Sequence, residues 1–210
     1  DYQDRNNNEL LAIFGNFVNR TLVLTHKYFE GKVPAMVNLN EKDQTAIEEM
    51  NQYPDKIAHL LDTYKFREAL SELMNLARLG NRYLTENEPW KQFKTDPERV
   101  KTVLAVSLQI VAKLAILSEP FLPFSAKKLQ DMIGLEVSGW NQAKETVLLN
   151  EDNVIGEVEL LFTKIEDETV AAQVKKLEDT KAQNELNAWT PKPIKPETNI
   201  DEFGKMDIRV

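Results

Sequence analysis

The sequence predicts an all-α protein, a helical bundle that is followed by a short extended or hairpin segment and a C-terminal surface helix. Apolar residues recur every three or four positions near the start of the chain, as on one face of a long helix. Residues 100–117 are apolar almost all round, which is typical of a buried central helix. Proline, glycine and capping residues separate the periodic runs, so shorter helices are expected to complete the bundle.

The first predicted helix runs from about Asn8 to Phe29, and Gly31 and Pro34 are expected to end it. Asn16 and Arg20 lie one turn apart on a polar face of this helix. The opposite, apolar face consists of Leu10, Leu11, Phe14, Phe17, Val18 and Leu22. We expect the apolar face to pack in the bundle and the polar face to remain accessible.

A second helix begins after NLNEKD, and Tyr53-Pro54 is expected to interrupt it, because proline removes a backbone donor and crowds the preceding turn. The third helix then runs from about Asp55 towards Leu84. A bend is predicted near Gly80, since glycine weakens a helix interior.

The central fourth helix has two candidate starting residues. Thr95 and Glu98 have the spacing of a capping box, whereas Asp96 followed by Pro97 offers an alternative cap with proline in the first turn. The helix is expected to end at Glu119-Pro120. A short fifth helix is predicted from Ser125 to Ile133, with Gly134 as its stop.

The pattern changes after residue 139, which is the expected end of the bundle. Short apolar runs in VLLNEDNVIGEVELLFTKI predict extended segments or a hairpin, and residues 167–187 predict a polar surface helix. Together, residues 140–187 form an acidic arm. Residues 188–199 form a proline-rich linker, and residues 200–210, IDEFGKMDIRV, alternate like the first strand of a further domain.

The composition excludes several classes of function. The chain has no cysteine and two histidines, so a disulfide or a metal centre is not expected. No membrane span or secretory leader is apparent, which predicts a cytoplasmic protein without a membrane partner. Glycine-rich phosphate loops, GxSxG and HExxH are absent, so no catalytic residue and no bound cofactor are predicted for this chain.

The net charge of −8 argues at first against a nucleic-acid partner, because phosphate contacts need lysine and arginine. However, residues 151–180 contain nine acidic residues against three lysines. This segment therefore supplies most of the negative charge, and the remainder of the chain is close to neutral.

Trp90 lies in the connection NEPWKQFKTDPER, residues 87–99, where its position allows two interpretations. The ring could offer a platform on which an unpaired base stacks, with Lys91 nearby. Alternatively it could pack back on the bundle as a lid, and spacing alone favours the lid. Asn16 and Arg20 could similarly read a base edge, although such a helix pair is more often solvated.

The chain resembles the C-terminal part of bacterial methionyl-tRNA synthetases, which are class I aminoacyl-tRNA synthetases. The resemblance covers nearly the whole sequence and rests on DYQDRNNNELLAIFGNFVNR, LARLGNRYLTENEPWK, LAILSEPFLPFSAKKLQDMIGL and ELLFTKIED. Related class I enzymes share the first three kinds of segment. The combination of GNFVNR, ENEPW, LFTKIED and IDEFGKMDIRV favours methionine.

This resemblance implies a set of binding residues and partners. It implies that the anticodon CAU of initiator and elongator methionine tRNA is unstacked against the bundle, with Trp90 stacking on the first base and Pro89 shaping that wall. Asn16 and Arg20 match positions that contact anticodon bases and their backbone, and Lys91 is a weaker candidate. Under this interpretation Trp90 is the platform.

The resemblance also implies that ATP and methionine chemistry belongs to a catalytic domain carrying HIGH and KMSKS signatures, neither of which is in this chain. The chain alone is then expected to be inactive. The segment from Leu161 to Ile165 is expected to pack either on that catalytic domain or on the bundle. Residues 200–210 resemble the start of an oligonucleotide-binding-fold domain through which the parent enzyme could form a homodimer.

Two other functions compete with this interpretation. The bundle could belong to an enzyme for another amino acid, since isoleucyl, valyl, leucyl and cysteinyl enzymes carry related bundles. It could also be a helical protein-interaction scaffold in which Trp90 is a hot spot for a partner protein.

Overall fold

The computed structural model describes residues 1–187 and 199–205. The chain divides into two compact units, Asp1–Ile165 and Glu166–Val210, which are described separately below. Helices make up both units, and the described residues contain no strand beyond one isolated bridge between Lys32 and Val154. The all-α prediction is confirmed.

The first predicted helix is present, but its winding changes along its length. It consists of α1 (Tyr2–Arg5), a π-helical segment (Asn6–Gly15) and α2 (Asn16–Phe29), which follow one another without a break. A π-helix bonds i to i+5 and is rare beyond a single turn, so this segment needs support from elsewhere. After α2 the chain turns at Glu30 and Gly31, both with positive φ.

Side chains from other elements hold the π-helical segment. The Asn7 amide donates to the Ile165 carbonyl and accepts from the Ile165 N–H, each at 2.9 Å. Asn81 Nδ2 donates to the Ile13 carbonyl at 2.8 Å. The Phe162 ring packs edge-on against Phe14, with ring centroids 5.7 Å apart. The segment ending at Ile165 is therefore packed on the bundle of its own chain.

The second and third helices differ from the sequence prediction in where they break. The structure has α3 (Glu41–Asp62) and α4 (Phe66–Asn87), so Pro54 lies inside α3 and the predicted interruption there is wrong. Pro54 is buried, and its carbonyl accepts a hydrogen bond from Trp140 Nε1 at 3.3 Å. Packing thus overrides the local cost of proline. The chain turns instead at Tyr64, which has a φ of 59°.

At Gly80, where a bend is predicted, α4 continues without a break. A β-carbon at Gly80 would lie 2.3 Å from Cζ of Phe17, so the glycine makes room for a buried ring on α2.

The central helix is α6 (Pro97–Leu117), and most of its residues are buried. Asp96 caps it by accepting the Arg99 N–H at 3.0 Å, which decides between the two predicted starts. Among the described residues α6 alone is long and apolar enough to cross a membrane, contrary to the sequence expectation, but 94% of that stretch is buried inside the protein. It is a core helix. As predicted, α7 (Pro123–Ile133) ends at Gly134, with φ 63°.

Of the two alternatives predicted after residue 139, extended segments or a hairpin, the described residues contain no hairpin. A short 3₁₀ turn (Trp140–Lys144) is followed by irregular chain whose backbone groups bond to side chains of α6. Gln109 donates to the Leu149 carbonyl at 2.8 Å, and its oxygen accepts the N–H groups of Leu148 and Leu149. Lys113 donates to the carbonyls of Ala143 and Glu145. These bonds replace the ladder that a hairpin would supply.

The second unit contains the predicted surface helix, here α8 (Asp167–Leu186), none of whose residues is buried. The segment predicted to begin a strand starts instead with one helical turn, α9 (Ile200–Phe203), capped by Asn199, whose side-chain oxygen accepts the Glu202 N–H at 3.0 Å. Most of the predicted linker, residues 188–198, and residues 206–210 lie outside the described residues.

Candidate nucleic-acid interface

The structure brings two of the sequence-predicted site residues together. The Arg20 guanidinium, on α2, lies over the Trp90 ring at 4.8 Å from the ring centroid. Trp90 is 37% exposed, so its ring has the partial exposure that a stacking platform requires. Asn16 is exposed one turn before Arg20 on the same helix. An aromatic face, a guanidinium and an amide thus share one surface region.

Trp90 belongs to a single helical turn, α5 (Pro89–Gln92), and not to an irregular loop as predicted. Glu88 precedes it in the left-handed region with a φ of 37°, which ends α4 and redirects the chain. Pro89 occupies the first helical position, where its missing N–H costs nothing, and is buried beneath the turn. Lys91 pairs with Glu88 at 2.6 Å in an exposed position, so its charge is already partly neutralised.

Aromatic stacking attaches the far end of α5 to α2. The Phe93 ring stacks on Tyr28 with centroids 4.0 Å apart and an interplanar angle of 14°. Phe29 meets the same Phe93 ring edge-on at 6.1 Å. The Lys27 ammonium lies 5.4 Å from the centroid of the Tyr28 ring. These contacts keep α5 alongside α2, which places Trp90 within reach of Arg20.

A buried polar cluster consists of Asp43, Tyr83, Asn87 and Arg99. The last two are the end residues of the Trp90 segment, residues 87–99. Arg99 binds both oxygens of Asp43, with Nη1 to Oδ2 at 2.5 Å and Nη2 to Oδ1 at 2.7 Å. The same Nη2 donates to Asn87 Oδ1 at 2.6 Å. Tyr83 donates its hydroxyl to Asp43 Oδ1 at 2.5 Å, and Asn87 donates to the Tyr83 carbonyl at 2.8 Å.

The protonation states of this cluster follow from burial and hydrogen bonding. Burial alone would raise the pKa of Asp43, but hydrogen bonds from Arg99 and Tyr83 outweigh it and lower the pKa below its ordinary value. The hydrogen bond to Asp43 raises the pKa of Arg99. Burial, reinforced by Asp43, raises the pKa of the Tyr83 hydroxyl. At neutral pH the cluster therefore holds one ion pair and a neutral tyrosine.

Sequence reasoning identified the surface residues but missed the polar cluster. Asn87 and Arg99 are the first and last residues of the quoted Trp90 stretch, and Asp43 lies at the capping-box position of NLNEKD. Each could be seen as a helix-end residue. Their mutual contact could not, because Asp43 and Arg99 are 56 positions apart. Within the described residues there is also no group of three or more potential metal ligands.

The fold and this surface define a class of protein: an α-helical bundle that presents an aromatic ring and a guanidinium, the side chains on which unpaired bases stack in RNA recognition. A profile of the anticodon binding domain of methionyl tRNA ligase matches residues 33–182. The chain belongs to this family.

Curated relatives agree over the full length of the chain. The methionine–tRNA ligase of Cytophaga hutchinsonii is 54% identical over all 210 residues, and that of Phocaeicola vulgatus is 53% identical over the same length. The chain spans about 30% of the length of these relatives.

A solved structure has the same fold. Apo methionyl-tRNA synthetase from Mycobacterium tuberculosis superposes with a TM-score of 0.71 at 23% identity, covering 78% of this chain and 34% of the other.

Proposed function

We propose that this chain reads the anticodon of methionine tRNA for a methionine–tRNA ligase. In this proposal the first base of the CAU anticodon stacks on Trp90, with Pro89 supporting the wall beneath it. Arg20 and Asn16 contact the neighbouring bases and their backbone, and Lys91 makes a weaker, electrostatic contribution. Both initiator and elongator methionine tRNAs carry this anticodon, so both are expected partners.

The observation that carries the proposal is the pairing of Arg20 with a partly exposed Trp90. A guanidinium 4.8 Å from the ring centroid keeps the aromatic side chain ordered before any ligand arrives. Because part of the ring remains open, a base can be added to this stack, and base–aromatic stacking contributes roughly 1–3 kcal/mol per base. The arrangement is therefore preorganised for an unpaired nucleotide.

The overall acidity of the chain is compatible with this function. Recognition of a splayed loop depends on a few well-placed groups and less on a broadly basic surface. The α8 helix, Asp167–Leu186, has five acidic residues against three lysines, a net charge of −2, and belongs to the second unit, whereas Arg20 and Trp90 belong to the first.

The proposal extends to the parent enzyme. The curated relatives are methionine–tRNA ligases more than three times as long as this chain. We propose that ATP and methionine bind a catalytic domain outside this sequence, and that the anticodon contact positions tRNA for methionylation there. A cytoplasmic location and a homodimer formed through an oligonucleotide-binding-fold domain beginning near residue 200 complete the proposal.

The test compares Trp90→Ala with the parent chain in binding to a CAU stem-loop and to a stem-loop lacking the first anticodon base. On the intact CAU loop, we expect Trp90→Ala to weaken binding by roughly ten- to hundredfold, since one base loses its stacking partner. On the loop without that base, parent and variant should bind alike. Trp90→Phe should recover part of the affinity, because it restores a smaller aromatic face.

Trp140→Phe is the matched control. Trp140 is also half-buried, but its indole bonds to the Pro54 carbonyl and it lies outside the proposed interface. This control is expected to bind CAU like the parent. Equal affinity of Trp90→Ala and the parent for CAU would overturn the stacking role. If the parent chain bound stem-loops with different anticodons equally well, Trp90 would more simply belong to a protein-interaction surface.

A further inference from the structure

The Trp90 turn is too short to hold its own position. The helix α5 comprises four residues, Pro89–Gln92, and a single isolated turn has almost no intrinsic stability in water. Its place therefore depends on what fixes the chain before and after it. On its C-terminal side the Phe93 ring stacks on Tyr28, as described above. On its N-terminal side Glu88 lies in the left-handed region of backbone conformation.

A hydrogen bond between two side chains, Arg99 and Asn87, links the two ends of this segment. Asn87 is the last residue of α4, three positions before Trp90, and Arg99 lies in the first turn of α6, nine positions after it. The hydrogen bond of 2.6 Å from Arg99 Nη2 to Asn87 Oδ1 closes the segment into a loop. Both groups are largely shielded from water, since Asn87 is 5% exposed and the Arg99 side chain 16%.

The fork geometry of arginine makes this closure possible. Arg99 places two nitrogens on the two oxygens of Asp43, which is fully buried on α3. One of these nitrogens, Nη2, carries a second N–H, which donates to the side-chain oxygen of Asn87. A lysine could retain the charge next to Asp43 but not this set of directions, because an ammonium is a compact point charge.

Stability alone does not require such a cluster. Apolar residues of similar volume often stabilise a protein core as well as a buried ion pair does. A hydrogen-bonded cluster differs from apolar packing in fixing one arrangement of its members, since each donor has one partner. Here the cluster fixes the distance between the end of α4, at Asn87, and the start of α6, near Arg99.

We infer that Asn87 and Arg99 are positioning residues for the RNA-stacking surface, holding the Trp90 turn in the orientation that a base meets. The inference rests on the proposed function of Trp90. Asn87 contributes the amide that closes the segment, and Arg99 anchors this amide to the buried carboxylate of Asp43. Neither side chain needs to touch RNA.

The main test uses Asn87→Ala, which removes the closing bond and leaves the Arg99–Asp43 pair in place. Gln130→Ala is the matched control: Gln130 is a buried amide, 6% exposed, that donates to the Ala115 carbonyl at 3.0 Å on α6, outside the Trp90 segment. Each variant loses one buried amide. Arg99→Lys provides a second route to the same defect with the positive charge retained.

The first measurement does not involve RNA. In a chain whose other tryptophans are replaced, Trp140→Phe and Trp189→Phe, fluorescence reports on Trp90 alone. We expect Asn87→Ala and Arg99→Lys to increase acrylamide quenching and lower the anisotropy of Trp90, and Gln130→Ala to change neither. Unchanged quenching and anisotropy in Asn87→Ala would overturn the inference.

The second measurement is affinity for the CAU stem-loop. Asn87→Ala should weaken binding by about three- to tenfold, the range expected when one side chain must be ordered on binding. This loss should disappear in a Trp90→Ala background, because the residue acts through the ring. An equal loss in that background, or an equal loss in Gln130→Ala, would contradict the positioning role.

The two measurements separate this inference from the proposed function. If Trp90→Ala binds CAU normally while Asn87→Ala still loosens the ring by fluorescence, the stacking function fails and the structural positioning stands. If Trp90→Ala loses binding while Asn87→Ala neither loosens the ring nor weakens binding, the function stands and the inference fails.

Discussion

The substitution Gly80→Ala sets two physical effects of opposite sign against each other. Gly80 lies inside α4, and replacing a helical glycine with alanine ordinarily stabilises a helix by about 1 kcal/mol. However, a β-carbon here would lie 2.3, 2.5 and 2.6 Å from three atoms of the Phe17 ring. Carbon atoms pack best at about 3.5–4.0 Å, so the ring would have to move by about 1 Å or more.

Phe17 cannot make that movement freely, because it is fully buried on α2. Overpacking of a close-packed core typically costs about 1–3 kcal/mol, and a displacement of this size belongs near the upper end. After the helix-propensity gain is subtracted, we expect Gly80→Ala to lower the free energy of unfolding by about 2 kcal/mol. The steric term therefore wins over the propensity term.

Urea denaturation of parent, Gly80→Ala, Phe17→Leu and the double variant measures this balance. Phe17→Leu removes the ring that meets the new methyl group, so the double variant should be more stable than the sum of the single effects predicts. The cycle isolates the contact between the two side chains. A Gly80→Ala chain more stable than the parent would refute the reasoning, because helix propensity alone would then govern this position.

Two further predictions concern charged residues. Arg20→Ala should weaken binding to the CAU stem-loop and, if Arg20 contacts a phosphate, reduce the slope of log affinity against log salt concentration by about one contact. If Arg20 contacts a base edge, the variant should instead lose discrimination between anticodons. Unchanged affinity at every salt concentration would contradict both roles. Burial lowers the pKa of Lys113 to about 8, so between pH 8 and its ordinary value of 10.5 the unfolded chain binds more protons than the folded one. The free energy of unfolding of the parent, measured relative to Lys113→Met, should therefore rise with pH over this window, and a flat or falling difference would contradict it.

Local signals in the sequence located the helix ends that depend on local chemistry. Gly134 ends α7 because the chain needs a left-handed residue there, and Asp96 with Pro97 begins α6 through a side-chain cap. Pro54 misled the prediction because its effect is tertiary, and the role of Gly80 is tertiary as well. Pro54 is held in a helix by its neighbours, and Gly80 accommodates a ring from α2.

The same distinction applies to the candidate interface. Spacing alone favoured a lid role for Trp90, and the family resemblance assigned Trp90 and Arg20 to the binding surface; the structure places the two side chains in contact. Whether the ring is accessible depends on packing that no local pattern encodes, and the structure leaves it 37% exposed. The Asp43–Arg99 pair joins α3 to α6, so only the folded chain reveals it.

The π-helical segment Asn6–Gly15 makes chain length a determinant of orientation. A π-turn contains one residue more than an α-turn, so this part of the helix holds surplus residues without a bulging loop. Deleting one residue while the winding is kept would rotate the two ends relative to each other by about 100°, the angle that one α-helical residue spans, whereas rewinding towards an α-helix would absorb the loss. Arg5 and Arg20 lie on either side of this segment. The number of residues in this segment thus helps to set the angle about the helix axis between the start of the chain and the proposed RNA-facing side chains. An insertion or deletion within it would change that angle or the winding without interrupting the helix.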